Sequence, residues 1–203
     1  MATVIADYAS LKTAIGEFAA RDLSADADVF IDQAEAYFNL RLRCRQMETV
    51  DDLTPTSNVC TLPTDYLEYK RVVELASIRR PLKYITEDAA DRLYASRYSG
   101  LANHFTIVGS SLTALPLSSN DIELTYYQKI PALSGAATTN WLLLAHPGLY
   151  LHGSLLYVAE WIQDDAMLQK ESTFVQNYID RIAELDNRAK FGNAGVTLAG
   201  VVV

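Results

Sequence analysis

The sequence predicts an α+β fold, mainly α: an antiparallel helical bundle, discontinuous in sequence, with a small β-rich region inserted between its halves. Three observations lead there. Apolar residues recur at helical spacing at both ends of the chain, before residue 44 and after residue 131. Between these ends the apolar pattern shortens into alternating runs separated by turn residues. Helices that each carry one apolar stripe must bury it against one another or against a partner, and this joins the two ends of the chain. The expected organisation is 1–43 plus 132–192 as the bundle, 44–131 as the insertion and 193–203 as an extended C-terminal arm.

Residues 8–20 read as the first helix, with Leu11, Ile15 and Phe18 on one stripe. The linker 21–28 offers Ser24, Asp26 and Asp28 as N-caps for a second helix over 28–43. Phe30, Ala34, Tyr37 and Phe38 share a face of that helix. Arg41, Arg43 and Arg45 crowd its end, where cations suit the helix dipole. Strands are expected over 47–50 and 59–62, around the turn-rich segment 51–58. Residues 66–75 alternate Leu67, Tyr69, Val73 and Leu75 against Glu68, Lys70 and Glu74, as a strand with one wet face would. A return strand over 78–82 and a short capped helix from Thr86 to Tyr94 follow. The runs 105–108 and 112–115 flank Gly109, Ser110 and Ser111 as a hairpin, and 122–128 is one more alternating strand. Helical period returns in a turn over 142–145 and in the segment 148–162, which is apolar almost all round and so predicted to be central and buried. Asp164 and Asp165 break that run. The last helix, 166–191, carries Leu168, Val175, Tyr178, Ile179, Ile182 and Leu185, and Gly192 and Asn193 stop it.

The 203 residues carry 17 basic and 25 acidic side chains, a net −8. The charge is spread along the chain: −3 over 1–43, −2 over 44–130 and −3 over 131–203. No segment forms a basic block, which excludes a conventional nucleic-acid binder that neutralises many phosphates. Cys44 and Cys60 match no disulfide framework or metal spacing and read as reduced thiols of a cytosolic compartment. The first residues lack the basic and apolar regions of a signal peptide. The apolar stretch 141–162 contains Pro147, Gly148 and Glu160, which suits a buried helix and not a spanning one.

Catalytic motifs are not evident. There is no glycine-rich phosphate loop and no nucleophile elbow. Among the histidines, His146 and His152 are six apart, whereas two metal ligands on one helical face want four, and His104 stands away from both. Asp51, Asp52, Glu68, Glu74, Asp164 and Asp165 supply carboxylates, but any acidic chain offers pairs by chance. No catalytic, cofactor or metal residue is expected. Two other features stand out. Lys70, Arg71, Arg79, Arg80 and Lys83 form a cationic run with Glu74 as the one acid within it, read as a basic patch that meets DNA or an acidic protein surface, or else as the solvated face of a hairpin whose cations protect a sheet edge. Tyrosines 66, 69, 84, 94, 98, 126 and 127 cluster in the insertion, as interface residues or as the rim of a small core.

Four stretches together resemble the head–tail adaptor, or connector, proteins of tailed bacteriophages. Phe30-Ile-Asp-Gln-Ala-Glu-Ala-Tyr-Phe-Asn-Leu-Arg-Leu-Arg43, followed by Met47-Glu-Thr49, is similar to the family's second helix and its exit. Leu62-Pro-Thr-Asp-Tyr-Leu-Glu-Tyr-Lys-Arg-Val72 resembles its proline-led strand, and Ile122-Glu-Leu-Thr-Tyr-Tyr-Gln-Lys-Ile-Pro-Ala-Leu-Ser134 its last strand and exit loop. Asn140-Trp-Leu-Leu-Leu-Ala-His-Pro-Gly-Leu-Tyr-Leu-His-Gly-Ser-Leu-Leu156, with Trp161-Ile-Gln-Asp-Asp165, resembles its central helix. The resemblance implies a structural virion protein of the neck, assembled in the host cytoplasm. Its partners would be the portal protein, a tail or nozzle protein and further copies of itself in a ring, usually of twelve. DNA would pass through the lumen without specific binding. It implies no catalytic residue and no cofactor. The alternative reading is a peptidoglycan-degrading hydrolase acting through a carboxylate pair, with a host-side helical binding protein as a third. The C-terminal arm carries Val196, Leu198, Val201, Val202 and Val203 with no charged side chain. Such an apolar, β-prone segment is expected to dock on the portal or to fold back over its own bundle.

Overall fold

In the computed structural model, which describes residues 4–191, the chain is mixed α+β. The elements in order are α1 (Tyr8–Ala19), α2 (Ala27–Arg41), β1 (Glu48–Leu53), β2 (Val59–Thr61), β3 (Tyr66–Leu75), β4 (Arg79–Pro81), β5 (Lys83–Tyr84), α3 (Glu87–Leu93), β6 (His104–Val108), β7 (Ser111–Leu115), β8 (Ile122–Gln128), α4 (Trp141–Ala145), α5 (Pro147–Ile162) and α6 (Asp165–Phe191). Two compact units result: one takes the residues up to Gln46 and those from Ile130 onward, the other is Met47–Lys129.

The helices of the first unit begin at side-chain caps. Asp7 accepts from the Ser10 N–H at 2.8 Å while Ser10 Oγ accepts from the Asp7 N–H at 2.9 Å, a reciprocal pair that satisfies two donors at the start of α1. Asn140 Oδ1 accepts from Leu143 N at the start of α4, and Asp164 Oδ1 from Met167 N at the start of α6. Proline opens α5, where its missing N–H costs nothing. Helix α5 is central: α1, α2, α4 and α6 all pack on it. Leu149, Tyr150, Leu155 and Val158 are buried there. The position of Gly153 brings the Phe38 ring of α2 so close that a Cβ would overlap it. Two residues leave their expected stripes. Phe18 is exposed, and Ala14 lies beside Leu11 and Ile15 in the core instead. Leu185 is exposed, and the buried face of α6 runs through Glu171, Val175, Ile179, Ile182 and Asp186.

The second unit holds two four-stranded sheets, ordered β1-β8-β3-β4 and β2-β7-β6-β5. All pairings are antiparallel except β5 with β6. Leu53, Cys60, Val72, Phe105, Leu112, Ile122 and Leu124 form its core. Gly109 supplies the positive φ (60°) for the two-residue turn between Val108 and Ser111, so the hairpin forms where the sequence places it. The capped helix is also as expected, with Thr86 Oγ1 accepting from Ala89 N. Strand β1 runs on to Leu53, through residues expected to turn. Strand β3 departs from its predicted alternation. Register shifts at Tyr66/Glu68 and Tyr69/Arg71 break the parity, and Val72, Val73 and Glu74 are all buried. Glu74, expected on the wet face, is 0 % exposed.

Candidate interaction surfaces

The cationic run lies on the β1-β8-β3-β4 sheet and beyond its edge, and acids from strands distant in sequence meet it. Lys70 Nζ sits 2.5 Å from Glu48 Oε2 of β1. Arg71 donates to Glu123 Oε1 of β8 at 3.0 Å, and Arg79 of β4 donates to the same oxygen. The hydrogen bond and charge of Arg79, and then those of Arg71, hold the Glu123 carboxyl below the usual carboxylate range. Arg80 donates to Asn103 Oδ1 at 3.1 Å, and Lys83 lies exposed on β5, in the other sheet. The five residues are therefore divided between the two sheets. Lys70, Arg71, Arg79 and Arg80 each contact another strand or a loop, and the acids they meet, Glu48 and Glu123, lie outside the run itself. Sequence proximity hides such partners, because sheet pairing brings together residues some fifty positions apart.

The tyrosines divide. Tyr69 packs edge-on to Phe105 at 5.1 Å and stacks on Tyr84 at 5.8 Å, while Tyr66 lies 5.7 Å from the buried Tyr126. These rings rim the core of the strand unit. Burial, with Asp65 hydrogen-bonded and charged beside it, pushes the Tyr126 hydroxyl up to about 12. Tyr94 donates to or accepts from His104 Nδ1 at 2.7 Å and packs on the exposed Tyr98.

Buried polar groups mark where the helical unit ties its segments together. Glu35 Oε1 on α2 accepts from Leu133 N at 2.9 Å and from Tyr150 Oη at 3.0 Å. Asn140 Nδ2 donates to Tyr150 Oη and to Pro131 O. Burial raises the Glu35 carboxyl above its ordinary range, against the lowering effect of those two hydrogen bonds. His152 Nδ1 lies 2.6 Å from the buried Glu171 Oε2, and its ring stacks on Phe174 at 4.7 Å. Asp186 takes Arg45 N at 3.0 Å and Lys190 Nζ at 2.6 Å. His146 stands between α4 and α5, and burial lowers its pKa. These histidines have structural partners or places, and among the described residues no three His, Cys, Asp or Glu side chains gather as metal ligands. Both cysteines are buried, and burial pushes the Cys60 thiol up to about 11.

One surface of the helical unit is apolar and open. Helices α2 and α5 form a groove of about 560 Å³ lined by Val29, Phe30, Tyr37, Leu40, Tyr157 and Trp161. Leu40 is 77 % exposed, Trp161 59 % and Val29 54 %, and Trp161 packs on Phe30 at 5.9 Å. The sequence pattern assigns Phe30 and Tyr37 to a buried stripe. It misses the groove because Val29 and Leu40 flank that stripe and the pattern includes neither.

The carboxylates considered for hydrolysis are scattered. Asp51 and Asp52 lie on edge strand β1, Asp164 and Asp165 at the start of α6, and Glu74 is locked inside the strand unit. No helix among the described residues is long and apolar enough to cross a membrane. The arm residues Val196, Leu198, Val201, Val202 and Val203, and the expected helix stop at Gly192 and Asn193, lie outside the described residues. A search of the curated proteins finds no match to the chain. The family model described as SU10 adaptor protein matches residues 6–198, it gives no support to a lytic hydrolase, and the chain belongs to this family of phage head–tail adaptors.

Proposed function

We propose that the protein forms the adaptor ring under the portal, in twelve copies, joining the capsid to the tail and lining part of the DNA exit channel. Family membership carries this reading, since phage structural adaptors meet both head and tail components. The net −8 supports it: acid repeated around a ring discourages phosphate from adhering to the lumen. The open α2–α5 groove supports it too, because a contiguous apolar surface of this kind suits a protein that assembles. In this reading the helical segments, 1–43 with 132–192, act as one antiparallel bundle, and the inserted region 44–131 carries contacts to neighbouring subunits or to the tail. Lys70, Arg71, Arg79, Arg80 and Lys83 are its contact residues. No cofactor takes part.

Like-charged subunits repel until a template holds them, so isolated protein sediments as small species and rings form on the portal. Electron microscopy of the protein mixed with portal tests the reading. Rings seated on the portal support it; portal with no added density overturns it. The apolar arm at 193–203 is proposed as the portal contact, ordering Val196, Leu198 and Val201, Val202 and Val203 on docking. Deleting 194–203 then leaves the melting temperature unchanged and removes portal binding. A large fall in melting temperature, or undiminished binding, assigns the arm to its own bundle instead.

A further inference from the structure

The sheet β1-β8-β3-β4 has two outer edges of opposite charge. Edge strand β1 presents Val50, Asp51 and Asp52 to solvent. Edge strand β4 presents Arg79, Arg80 and Pro81, with Arg79 and Pro81 exposed. Acidic groups balance the cations within the sheet only in part. Arg71 and Arg79 share the single Glu123 carboxylate, which leaves positive charge in excess at the β4 edge. Asp51 and Asp52 leave negative charge in excess at the β1 edge. Three successive antiparallel pairings, β1 with β8, β8 with β3 and β3 with β4, make β1 and β4 run in opposite directions. The β4 edge of one copy set against the β1 edge of another would therefore keep the alternation of the sheet. Such a contact is heterologous, since each copy offers one edge of each kind, and heterologous contacts generate a ring where the rotation between copies closes.

We propose that neighbouring copies meet head to tail through these edges, with Arg79 and Arg80 of one facing Asp51 and Asp52 of the next. The proposal rests on the ring reading above and names the contact that closes it. Charge carries the contact. Strand β4 is short, and Pro81 has no N–H to donate, so few main-chain bonds are on offer there. Edges built in this way do not pair freely with any exposed strand. They select an oppositely charged edge, and the selection weakens as salt screens it. Association without a template is then expected to be weak, because a side-chain latch has to overcome the repulsion of two chains that each carry −8.

The test uses two full-length variants, D51K/D52K and R79E/R80E. The first has two basic edges, the second two acidic edges. Each alone places like charges across every contact, and rings per portal fall by about tenfold or more. Mixed together, the variants alternate and every contact is again between opposite charges, so rings return. Net charge does not produce this rescue, because the substitutions leave both chains acidic, at −4 and −12 against the native −8. D51K/D52K keeps its thermal midpoint within about 2 °C, since surface changes of this kind move stability little, and R79E/R80E, which loses the exposed Arg79–Glu123 pair, falls by no more than about 5 °C. Sedimentation of the mixture without portal, at low salt, reads the edge contact by itself. The mixture forms heavier species than either variant alone, and about 0.5 M salt dissolves them. A mixture that sediments like its parts, or a double variant that still forms rings alone, overturns the edge contact. Wild-type protein that forms no ring on portal overturns the ring reading, whatever the mixture does in sedimentation.

Discussion

The helical unit takes carboxylates inside, and the strand unit keeps most of its own on the outer face and edges of a sheet. In the first, Glu35, Glu171 and Asp186 are buried, and each holds a different segment: Leu133 in the loop before α4, His152 on α5 and the Arg45 backbone after α2. In the second, Glu48 and Glu123 lie at a sheet surface beside exposed cations, and Asp51 and Asp52 lie on an edge strand. The difference follows from how backbone groups find partners. A sheet satisfies its N–H and C=O groups through its own ladders. Loops threaded between helices have no ladder, so side-chain acceptors must reach them. The fold of the strand unit therefore depends less on its charges.

Glu74 is the exception in the strand unit and the place to break the comparison hardest. Its carboxylate takes Ser118 Oγ at 2.5 Å, Asn120 Nδ2 at 3.0 Å and Ala102 N at 3.1 Å, all inside the protein. Glu74→Ala leaves those donors without an acceptor, at about 1–3 kcal/mol each where water cannot reach. The expected loss is about 3 kcal/mol or more, read as a lower urea midpoint at unchanged slope. A loss below about 1 kcal/mol would mean that water replaces the carboxylate and that the strand unit folds without help from any of its charges.

The next effect lies in the helical unit. Gly153→Leu forces a side chain into the space of the Phe38 ring, and Phe38 in turn packs edge-on to Tyr150 at 5.4 Å. Overpacking of this kind costs about 1–3 kcal/mol. Because Tyr150 also donates to Glu35, the same substitution should loosen the loop at Leu133, measured as faster amide exchange there. Protection unchanged at Leu133 would separate the apolar packing from the polar tie.

Glu35 gives a pH signature that surface acids of the strand unit do not. Burial raises its folded-state pKa above the unfolded value, so the folded state favours the protonated form. The stability this contributes is complete below the unfolded pKa, about 4.3 for glutamate, and is lost as pH rises through the raised value. Glu35→Gln keeps an acceptor for Leu133 N and Tyr150 Oη and does not titrate. The stability of the native protein relative to this variant should therefore fall as pH rises above about 4, through the raised pKa, and then level off. A flat difference across that range would mean that the carboxylate is not disfavoured by its burial.

Local signals in the sequence predict local structure well. Gly109 between two short apolar runs marks the β6–β7 hairpin, Thr86 marks the start of α3, and Pro147 marks the start of α5, because each residue acts through backbone geometry within a few positions. Partners supplied from far along the chain are not legible. Glu123 answers Arg71 and Arg79 only once β8 lies beside β3, and Glu48 answers Lys70 only once β1 joins the same sheet. Glu74 reads as solvent-facing from parity, and the bulges in β3 that shift the parity carry no sequence mark. On α6, Glu171 and Asp186 fall in step with Val175, Ile179 and Ile182, yet acidic residues on a stripe read as its polar border and not as buried acceptors. Exposure of Phe18, Leu40 and Trp161 escapes for the converse reason: apolar type suggests burial, and only packing decides which apolar residues remain outside.

The smallest expected effect is also the one that sharpens the comparison most. Lys70 and Glu48 meet at 2.5 Å across the intervening strand β8, with side chains 42 % and 19 % exposed. Tyr127, on the strand between them, donates to the same glutamate at 3.4 Å. A pair this open gains modest Coulomb energy, loses side-chain freedom and is screened by salt, so its coupling should be about 0.2–1 kcal/mol. A double-mutant cycle of Lys70→Ala and Glu48→Ala, by urea unfolding, measures it, and about 0.5 M salt should remove most of it. Coupling of about 2 kcal/mol or more, insensitive to salt, would give this surface pair the same structural role as the buried carboxylates of the helical unit. A small, screened coupling leaves the sheet's charges available to a neighbouring copy. Reversal at Arg79 and Arg80 would then act on assembly with little effect on folding.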